Sequence, residues 1–187
     1  MGEMVRRGIV TGARKNFHQG EHIGCFAGGD MALYKTLAED PKCHILPGTW
    51  VVDPMVIKQN DNMVSINTAI EMDLTGQITA ESVGPLQVSG TGGAFDFAYG
   101  ALHSKGGRGI YAFTSTSRKG FSKINCLLKE GAQVSIPRNY ADYVVTEYGI
   151  APLRGRTTRE RAENLIAVAH PDFRAALRLQ AKQLNIL

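Results

Sequence analysis

The chain has 187 residues, of which 43% are apolar, 20% charged and 7% aromatic. That composition suffices for a packed core and argues against intrinsic disorder, since a chain of this size buries roughly 70% of its unfolded surface on folding. No uncharged apolar run approaches the ~20 residues that cross a bilayer, and the N-terminus lacks the apolar segment of a secretory signal. We expect one domain, in which 21 glycines indicate tight turns or close backbone approach.

The chain is mildly basic, with 21 lysines and arginines against 17 acidic residues. The excess lies mainly in segments 105–129 and 154–161. It indicates either an ordinary basic surface or a polyanionic partner, which would be nucleic acid or a phosphorylated small molecule. Because no zinc-finger spacing, RNA-binding signature or long basic run is present, we expect a phosphate-bearing small ligand rather than nucleic acid.

Cysteine and histidine usage predicts no disulfide framework and no metal site. The three cysteines, Cys25, Cys43 and Cys126, are widely spaced, and no C-x-x-C pair occurs. The five histidines form no H-E-x-x-H pattern. Unpaired cysteines favour a reducing compartment, and we expect the cytoplasm.

In the first half of the chain, strand-like and helix-like segments alternate. A short strand at 22–28 precedes a helix that Asp30 caps and Pro41 ends, and Cys43–Leu46 predicts the next strand. From Met63 to Leu74 the alternation predicts one continuous strand, with Gln77–Val83 as its partner. On that strand Glu71 and Asp73 share a face. The two residues either lie exposed to solvent or form a carboxylate pair for acid–base chemistry, and we expect them to be exposed.

In the second half of the chain the sequence predicts further helices and strands. Phe95–Leu102 is expected to be helical, and Gly109–Thr116, Ala132–Ile136 and Val144–Thr146 are expected to be strands. A capping box at Thr157–Glu160 starts a helix, and His170–Asp172 separates it from a second amphipathic helix. The pattern predicts an α/β fold with a mixed sheet and two closing helices.

Two loops are candidate ligand sites. In Ser89–Phe97 the glycines at 90, 92 and 93 leave backbone amides accessible, and a following helix would add positive potential for a phosphate or carboxylate. A tight turn without a ligand remains the alternative, because the loop matches neither a Walker loop nor the dinucleotide fingerprint. Basic and hydroxyl residues beside glycines at Lys105–Arg108 and Thr114–Gly120 flank a predicted strand, and they form either a ligand crevice or two solvated loops.

Taken together, the motifs resemble the acetyl-CoA hydrolase/transferase family, which includes 4-hydroxybutyrate, acetate and butyrate CoA-transferases. The likeness covers nearly the whole chain in the family's order. The matching stretches are Gln59–Met63, Ser65–Gln77, Ser89–Phe97, Ser104–Gly107, Pro137–Asn139, Val144–Ala151, Leu153–Gly155, Arg159–Ala162 and Ala169–Arg174.

This resemblance implies a CoA-transferase-like α/β fold, with a mixed, mostly parallel sheet flanked by helices. Residues 1–187 would form the C-terminal domain of an enzyme about twice as long, whose N-terminal domain is expected outside this chain. The implied reaction is nucleophilic: a glutamate attacks an acyl-CoA thioester, an acyl-glutamyl anhydride and then a glutamyl-CoA thioester form, and an acceptor carboxylate completes the exchange by taking the CoA. Coenzyme A is then a substrate, no prosthetic group is implied, and a homo-oligomer stays open.

The resemblance also implies roles for particular residues. Gly90, Gly92 and Gly93 match the family's loop for CoA and the acyl group, and the Gly93 amide would donate to the oxyanion of the tetrahedral intermediate. Ser117 and Lys119 fall where the family contacts CoA.

Two positions depart from the family's pattern. The nucleophilic glutamate belongs to a Gly-Ile-His-Thr-Glu-Met-type segment upstream of the stretch that matches Gly8–Thr11, and it is expected before Met1; Glu3 matches an ordinary helix residue. The family often carries Asn-Asp-Pro where this chain has Val52-Asp53-Pro54. That asparagine would be a second oxyanion donor, which valine cannot replace.

Three functions follow as hypotheses. The chain is expected to be the C-terminal part of a CoA-transferase, inactive by itself, or of an acetyl-CoA hydrolase if water replaces the acceptor carboxylate. Alternatively, it is a non-catalytic module that binds CoA or pairs with an N-terminal partner. A basic nucleic-acid-binding domain is the remaining alternative, and it predicts salt-dependent retention of DNA or RNA.

Overall fold

The structure, a computed structural model, describes residues 2–187. In chain order its elements are α1 (Gly2–Arg6), β1 (His22–Gly24), α2 (Met31–Glu39), β2 (Cys43–Ile45), α3 (Gly48–Val51), α4 (Pro54–Ile57), β3 (Val64–Asn67), β4 (Glu71–Asp73), β5 (Ile78–Thr79), β6 (Ser82–Val83), β7 (Leu86–Gln87), α5 (Ala94–His103), β8 (Arg108–Ala112), β9 (Ile124–Asn125), a 3₁₀ turn (Arg138–Tyr140), β10 (Tyr143–Thr146), β11 (Gly149–Pro152), α6 (Thr158–Val168) and α7 (Pro171–Gln183).

The largest sheet has the strand order β11-β10-β8-β3. Strands β3 and β10 both run parallel to the central strand β8, and β11 is antiparallel to β10. Helix α5 packs on β8 and β3, and α6 packs on β10 and β11. The predicted fold class, a mixed and mostly parallel sheet flanked by helices, is confirmed.

Smaller sheets surround this one. Strand β4 lies between β5, which is antiparallel to it, and β9, which is parallel. Strands β1 and β2 form a separate parallel pair connected by α2, and β6 and β7 form a hairpin. The sheet at β1 is therefore not hydrogen-bonded to the largest sheet.

The main apolar core is built from the C-terminal two thirds of the chain. It extends from Ala69 to Ala181 and includes the fully buried Met72, Tyr111 and Leu165. No residue before Ala69 belongs to this cluster within the described part of the chain. The segment before β3 is therefore held by smaller, local contacts.

Local signals predicted several elements correctly. Asp30 caps α2 by accepting a hydrogen bond from the Leu33 amide at 2.9 Å, and Thr157 and Glu160 form the expected capping box at α6. The strands predicted at 22–28, 43–46, 109–116 and 144–146, the helix at 95–102 and the last amphipathic helix are each present with shifted ends. Strand β5 is the expected partner of β4.

The prediction of one strand from Met63 to Leu74 is wrong. The chain crosses between two sheets at 68–70, so β3 and β4 have different neighbours. On β3 the Ser65 side chain is buried, whereas the apolar side chains of Val64 and Ile66 are exposed. The segment 132–136 is not a strand either, because it forms only an isolated bridge between Ile136 and Ile78.

The expected exposure of Glu71 and Asp73 is also wrong, because both carboxylates are buried. Glu71 accepts hydrogen bonds from Lys129 Nζ at 2.8 Å and Asn125 Nδ2 at 3.4 Å. The Asp73 carboxylate accepts from the amides of residues 75, 76 and 77 at 2.9–3.0 Å, and from the Thr75 and Gln77 side chains. Because their oxygens are engaged in holding turns and strands, these carboxylates are structural rather than an acid–base pair.

Residues 2–187 contain neither a membrane-spanning helix nor a cluster of metal-binding side chains. Among these residues no helix is long and apolar enough to span a bilayer. No cluster of three or more histidine, cysteine, aspartate or glutamate side chains is arranged there to hold a metal ion.

Candidate functional site

The glycine loop leads directly into α5. Gly93 is the N-cap residue of this ten-residue helix, and no side chain caps it. The first amides of a helix have no partner within the helix and carry positive potential. No backbone oxygen among residues 2–187 accepts from the amides of residues 90–93. Gly92 has a φ of +57°, which favours glycine, and a Cβ at residue 90 or 92 would meet no atom within 4 Å.

Gly93 lies against Val52. A Cβ placed on Gly93 would come within 2.9 Å of the Val52 Cγ1 atom and 3.5 Å of Phe97 Cδ2. Val52 follows α3, and Asp53 then caps α4 by accepting from the Met55 amide at 2.8 Å. The structure therefore places the amide of Gly93 close to position 52. The Val52 side chain there ends in methyl groups and offers no hydrogen-bond donor.

Asn67 connects the end of β3 to the start of α5. Its Nδ2 atom donates to the Ser65 hydroxyl at 2.8 Å and lies 3.5 Å from the Ala94 carbonyl oxygen. The glycine loop is thus held at the carboxyl end of β3. In open α/β sheets this is the edge where ligands bind.

Ser117 and Lys119 lie in another loop, which follows β8. The Ser117 amide donates to the Phe121 carbonyl at 2.8 Å, and the Ser117 hydroxyl accepts from the Phe121 amide at 3.2 Å. The Lys119 side chain is exposed. Because β8 runs parallel to β3, this loop leaves from the same sheet edge as the glycine loop, although no hydrogen bond joins the two loops within residues 2–187.

The two halves of the second candidate crevice do not meet. Lys105–Arg108 lies at the amino end of β8 and Thr114–Gly120 at its carboxyl end, so the five-residue strand separates them by about 16 Å. Lys105 Nζ instead lies 3.9 Å from the Asp61 carboxylate. The two segments therefore form two separate loops, as the alternative interpretation has it, and do not share one crevice.

One polar pair at the carboxyl edge was not singled out from the sequence. Glu147, just after β10, accepts from the Ser115 hydroxyl at 2.6 Å and from the Ser115 amide at 2.9 Å. Partial burial opposes ionisation of Glu147, but the two hydrogen bonds outweigh it and hold the pKa of this carboxyl below its usual value. Ser115 follows β8 and Glu147 follows β10, so no local sequence motif predicts this pair.

A cleft of 1190 Å³ lies on the other side of β3. Phe97 of α5, Trp50 and Val64 line it, together with most of segment 8–18. Lys15 is partly buried there, which lowers the pKa of its ammonium group despite the nearby Glu21 carboxylate. Since Phe97 also lies beside Gly93, α5 connects this cleft with the glycine loop.

Comparison with known proteins identifies the family. The family model for the acetyl-CoA hydrolase/transferase C-terminal domain matches residues 29–181. The 4-hydroxybutyrate coenzyme A transferase of Clostridium kluyveri is 45% identical over 97% of this chain, and the succinyl-CoA:cyclohexane-1-carboxylate CoA transferase of Geobacter metallireducens is 45% identical over 99%. This chain spans 42% and 43% of the lengths of these two relatives.

A solved structure gives the same result. The crystal structure of RipA from Yersinia pestis is similar with a TM-score of 0.90 and 41% identity, over 99% of this chain and 42% of the RipA chain. The resemblance inferred from the sequence motifs is confirmed, and the chain belongs to the acetyl-CoA hydrolase/transferase C-terminal domain family.

Proposed function

We propose that residues 1–187 form the C-terminal domain of a CoA-transferase, which moves CoA between an acyl-CoA and a small carboxylic acid of the 4-hydroxybutyrate, acetate or butyrate type. Family membership supports this assignment. The observation that carries it is the accessible Gly93 amide at the start of α5, packed against position 52. The partner of this domain would be the N-terminal domain of the same enzyme.

The proposed reaction proceeds through covalent intermediates on a glutamate. The carboxylate attacks the thioester carbonyl, the C–S bond breaks, and CoA leaves as the thiolate with an acyl-glutamyl anhydride remaining. The thiolate then attacks the glutamyl carbonyl, which releases the first carboxylic acid as its anion and gives the glutamyl-CoA thioester. An acceptor carboxylate runs the two steps in reverse. Water in the place of that acceptor gives hydrolysis.

In this scheme Gly93 stabilises the oxyanion. Its N–H would donate to the oxygen that becomes negative in each tetrahedral intermediate, and the N-terminal potential of α5 would add to the effect. A single donor of this kind contributes ~3 kcal/mol of transition-state stabilisation. Val52 offers no second donor, so Gly93 would carry this role without help from position 52. The glutamate itself would come from a segment other than residues 2–187.

Coenzyme A would lie along the carboxyl edge of the sheet. Lys119 is exposed on the loop after β8, where its ammonium group suits a CoA phosphate, and the Ser117 hydroxyl would accept or donate a further hydrogen bond. Gly90 and Gly92 would let the ligand approach the backbone, since space around both is open. The three cysteines form no disulfide, which favours a reducing compartment such as the cytoplasm.

Calorimetric titration with CoA tests this proposal. The chain should bind CoA with a saturable heat, and Gly93→Trp should reduce affinity at least tenfold because an indole would fill the loop. Gly28→Trp is the matched control, since Gly28 is exposed and a Cβ there meets no atom within 4 Å. Circular dichroism verifies that each variant is folded.

A second variant tests the CoA site without a substitution in the glycine loop. Lys119→Ala should weaken CoA binding several-fold and reduce its dependence on ionic strength, whereas Lys182→Ala on the exposed surface of α7 should not. Absence of CoA binding by the parent chain, or equal affinities for all these variants, would contradict the proposed site.

A further inference from the structure

One buried carboxylate has no partner within residues 2–187. Glu81 is only 6% exposed, and its Oε2 atom is buried and accepts no hydrogen bond from these residues. No lysine, arginine or histidine nitrogen lies within 4 Å of this carboxylate in the part of the chain that the structure describes. Buried charges are ordinarily paired or hydrogen-bonded, because an isolated charge is strongly disfavoured away from water. Glu81 is therefore an exception that needs a physical reason.

The backbone around Glu81 is held on both sides. The Ala80 amide donates to the Ser135 hydroxyl at 3.0 Å. The Ser82 amide donates to Thr79 Oγ1 at 3.2 Å. Because these bonds fix the residue between β5 and β6, burial of the carboxylate belongs to the fold and is not the chance position of a free loop.

Glu81 is also joined to the start of the glycine loop. Its carbonyl accepts from the Val88 amide at 2.7 Å and from the Ser89 amide at 3.0 Å. Ser89 begins the loop that continues to Gly93 at the N-terminus of α5. A group that binds the Glu81 carboxylate would therefore also act on the segment that carries the proposed oxyanion donor.

The lysine beside the β6–β7 hairpin is already engaged. The Cβ atom of Lys129 lies 3.9 Å from the position of a Cβ on Gly84, but its Nζ atom is bound to the Glu71 carboxylate at 2.8 Å. Glu130 adds an exposed carboxylate beside the same hairpin. The hairpin thus has more negative than positive charge around it, and a cation from outside residues 2–187 would complement it.

The ligands of the proposed reaction cannot supply this positive charge. CoA and its esters carry phosphates, and the free donor and acceptor acids are carboxylates. A positive side chain on another polypeptide segment fits better. Among such side chains a guanidinium suits a buried carboxylate best, because it is weakly hydrated and its planar fork binds both oxygens.

The hairpin also presents apolar side chains to solvent. Leu86 is 67% and Val88 59% exposed, and the Val88 amide is bonded to Glu81. The strongest contacts of protein interfaces are surrounded by neighbours that exclude water from them. A segment that brings a cation to Glu81 would cover these apolar side chains as well.

We propose that Glu81 and the β6–β7 hairpin form a docking site for a polypeptide segment that bears an arginine, whose guanidinium pairs with the buried carboxylate. The assignment of this segment to another part of the same enzyme rests on the proposed function. Docking would stabilise the start of the glycine loop through the bonds that Val88 and Ser89 make to Glu81.

Thermal unfolding of the 187-residue chain tests whether Glu81 is unpaired. Glu81→Met removes the charge and retains a side chain of similar length, so it should raise the unfolding midpoint by at least ~3 °C. Glu130→Met is the matched control at an exposed carboxylate beside the same hairpin, and it should shift the midpoint by less than ~1 °C. An unchanged or lower midpoint for Glu81→Met would mean that the carboxylate already has a stabilising partner, and would overturn the proposal.

Binding of N-acetyl-argininamide tests the kind of partner. In amide NMR spectra of the chain, the Val88 and Ser89 signals should shift saturably on titration with this probe, because both amides bond to Glu81. N-acetyl-citrullinamide has the same shape without the charge and should bind at least ~5-fold more weakly. Glu81→Met should lose the shift, and Glu130→Met should retain it.

Three results would overturn the proposal: no shift of these two signals with the arginine probe, equal binding of the citrulline probe, or equal binding of the arginine probe by Glu81→Met and the parent chain. Tighter binding of N-acetyl-lysinamide than of N-acetyl-argininamide would overturn the assignment of a guanidinium. None of these measurements requires CoA, so failure of docking at Glu81 is distinguishable from failure of the proposed CoA site.

Discussion

Gly93 owes its position to the absence of a side chain. Its φ of −101° is open to any residue, so the constraint is the 2.9 Å approach to Val52 rather than the backbone conformation. A side chain at position 93 must displace Val52 or tilt the start of α5. The loop amide is therefore located by packing against the segment 52–54.

A double-mutant cycle tests this packing. Gly93→Ala should lower the free energy of unfolding by ~1–3 kcal/mol through overpacking. In a Val52→Ala background the same change should cost at least ~0.5 kcal/mol less, because the methyl group at 2.9 Å is gone. Chemical denaturation of the four proteins measures the coupling. Additive effects would mean that Val52 does not constrain residue 93.

At the scale of elements, Ser115 and Glu147 link the loop after β8 to the end of β10. Since the pKa of Glu147 lies below its ordinary value in the folded chain, this link is fully present above the unfolded pKa of ~4.3. It is lost as pH falls through the lower, folded value. The loop that carries Ser117 and Lys119 should consequently loosen in acid.

Ser115→Ala should reduce the free energy of unfolding by ~1 kcal/mol at pH 7, because it removes the hydroxyl donor but leaves the amide. The difference from the parent chain should shrink as pH falls below the unfolded pKa of ~4.3 and through the lower pKa that Glu147 has in the folded chain. Denaturation curves at pH 7 and pH 3 measure this, with Ser89→Ala at an exposed serine as the control. A cost that stays constant between the two pH values would show a packing effect instead.

Elements were predictable where the signal is local. The capping residues Asp30 and Thr157 act within one helical turn, so the sequence alone locates the starts of α2 and α6. The break between β3 and β4 has no such signal, because it depends on which distant strand each half pairs with. For the same reason the burial of Glu71 could not be foreseen: its partner Lys129 is remote in sequence.

The candidate site divides in the same way. The glycine loop was visible as a cluster of glycines, and motif resemblance pointed to position 52. The contact between Gly93 and Val52 and the link between Ser115 and Glu147 depend on how the strands assemble. The open edges of β1 and β3 have no sequence signature at all, because alternation in residues 63–74 suggested an ordinary two-faced strand.

For the whole molecule, stability is expected to be uneven. The apolar core begins at Ala69, while the N-terminal third relies on contacts such as the His18–Trp50 ring pair, with centroids 5.3 Å apart. Regions with few buried apolar contacts open at lower free energy than the core. Strands β1 and β2 should thus form a separate, weaker cooperative unit.

Native-state hydrogen exchange measures this difference. The hydrogen-bonded amides of β1 and β2 should exchange at least ~100-fold faster than those of β8 and β10, which serve as the internal reference. Equal protection in both regions would contradict this difference in stability.

The unpaired edge of β3 also bears on how the chain behaves while it folds and at high concentration. Val64 must find Arg108 across a long intervening segment, and such non-local parallel pairing forms slowly. Throughout that time, and afterwards at the open edge of the folded sheet, apolar Val64 and Ile66 flank backbone groups that any extended chain can satisfy. This edge is therefore the place where aggregation between chains would begin.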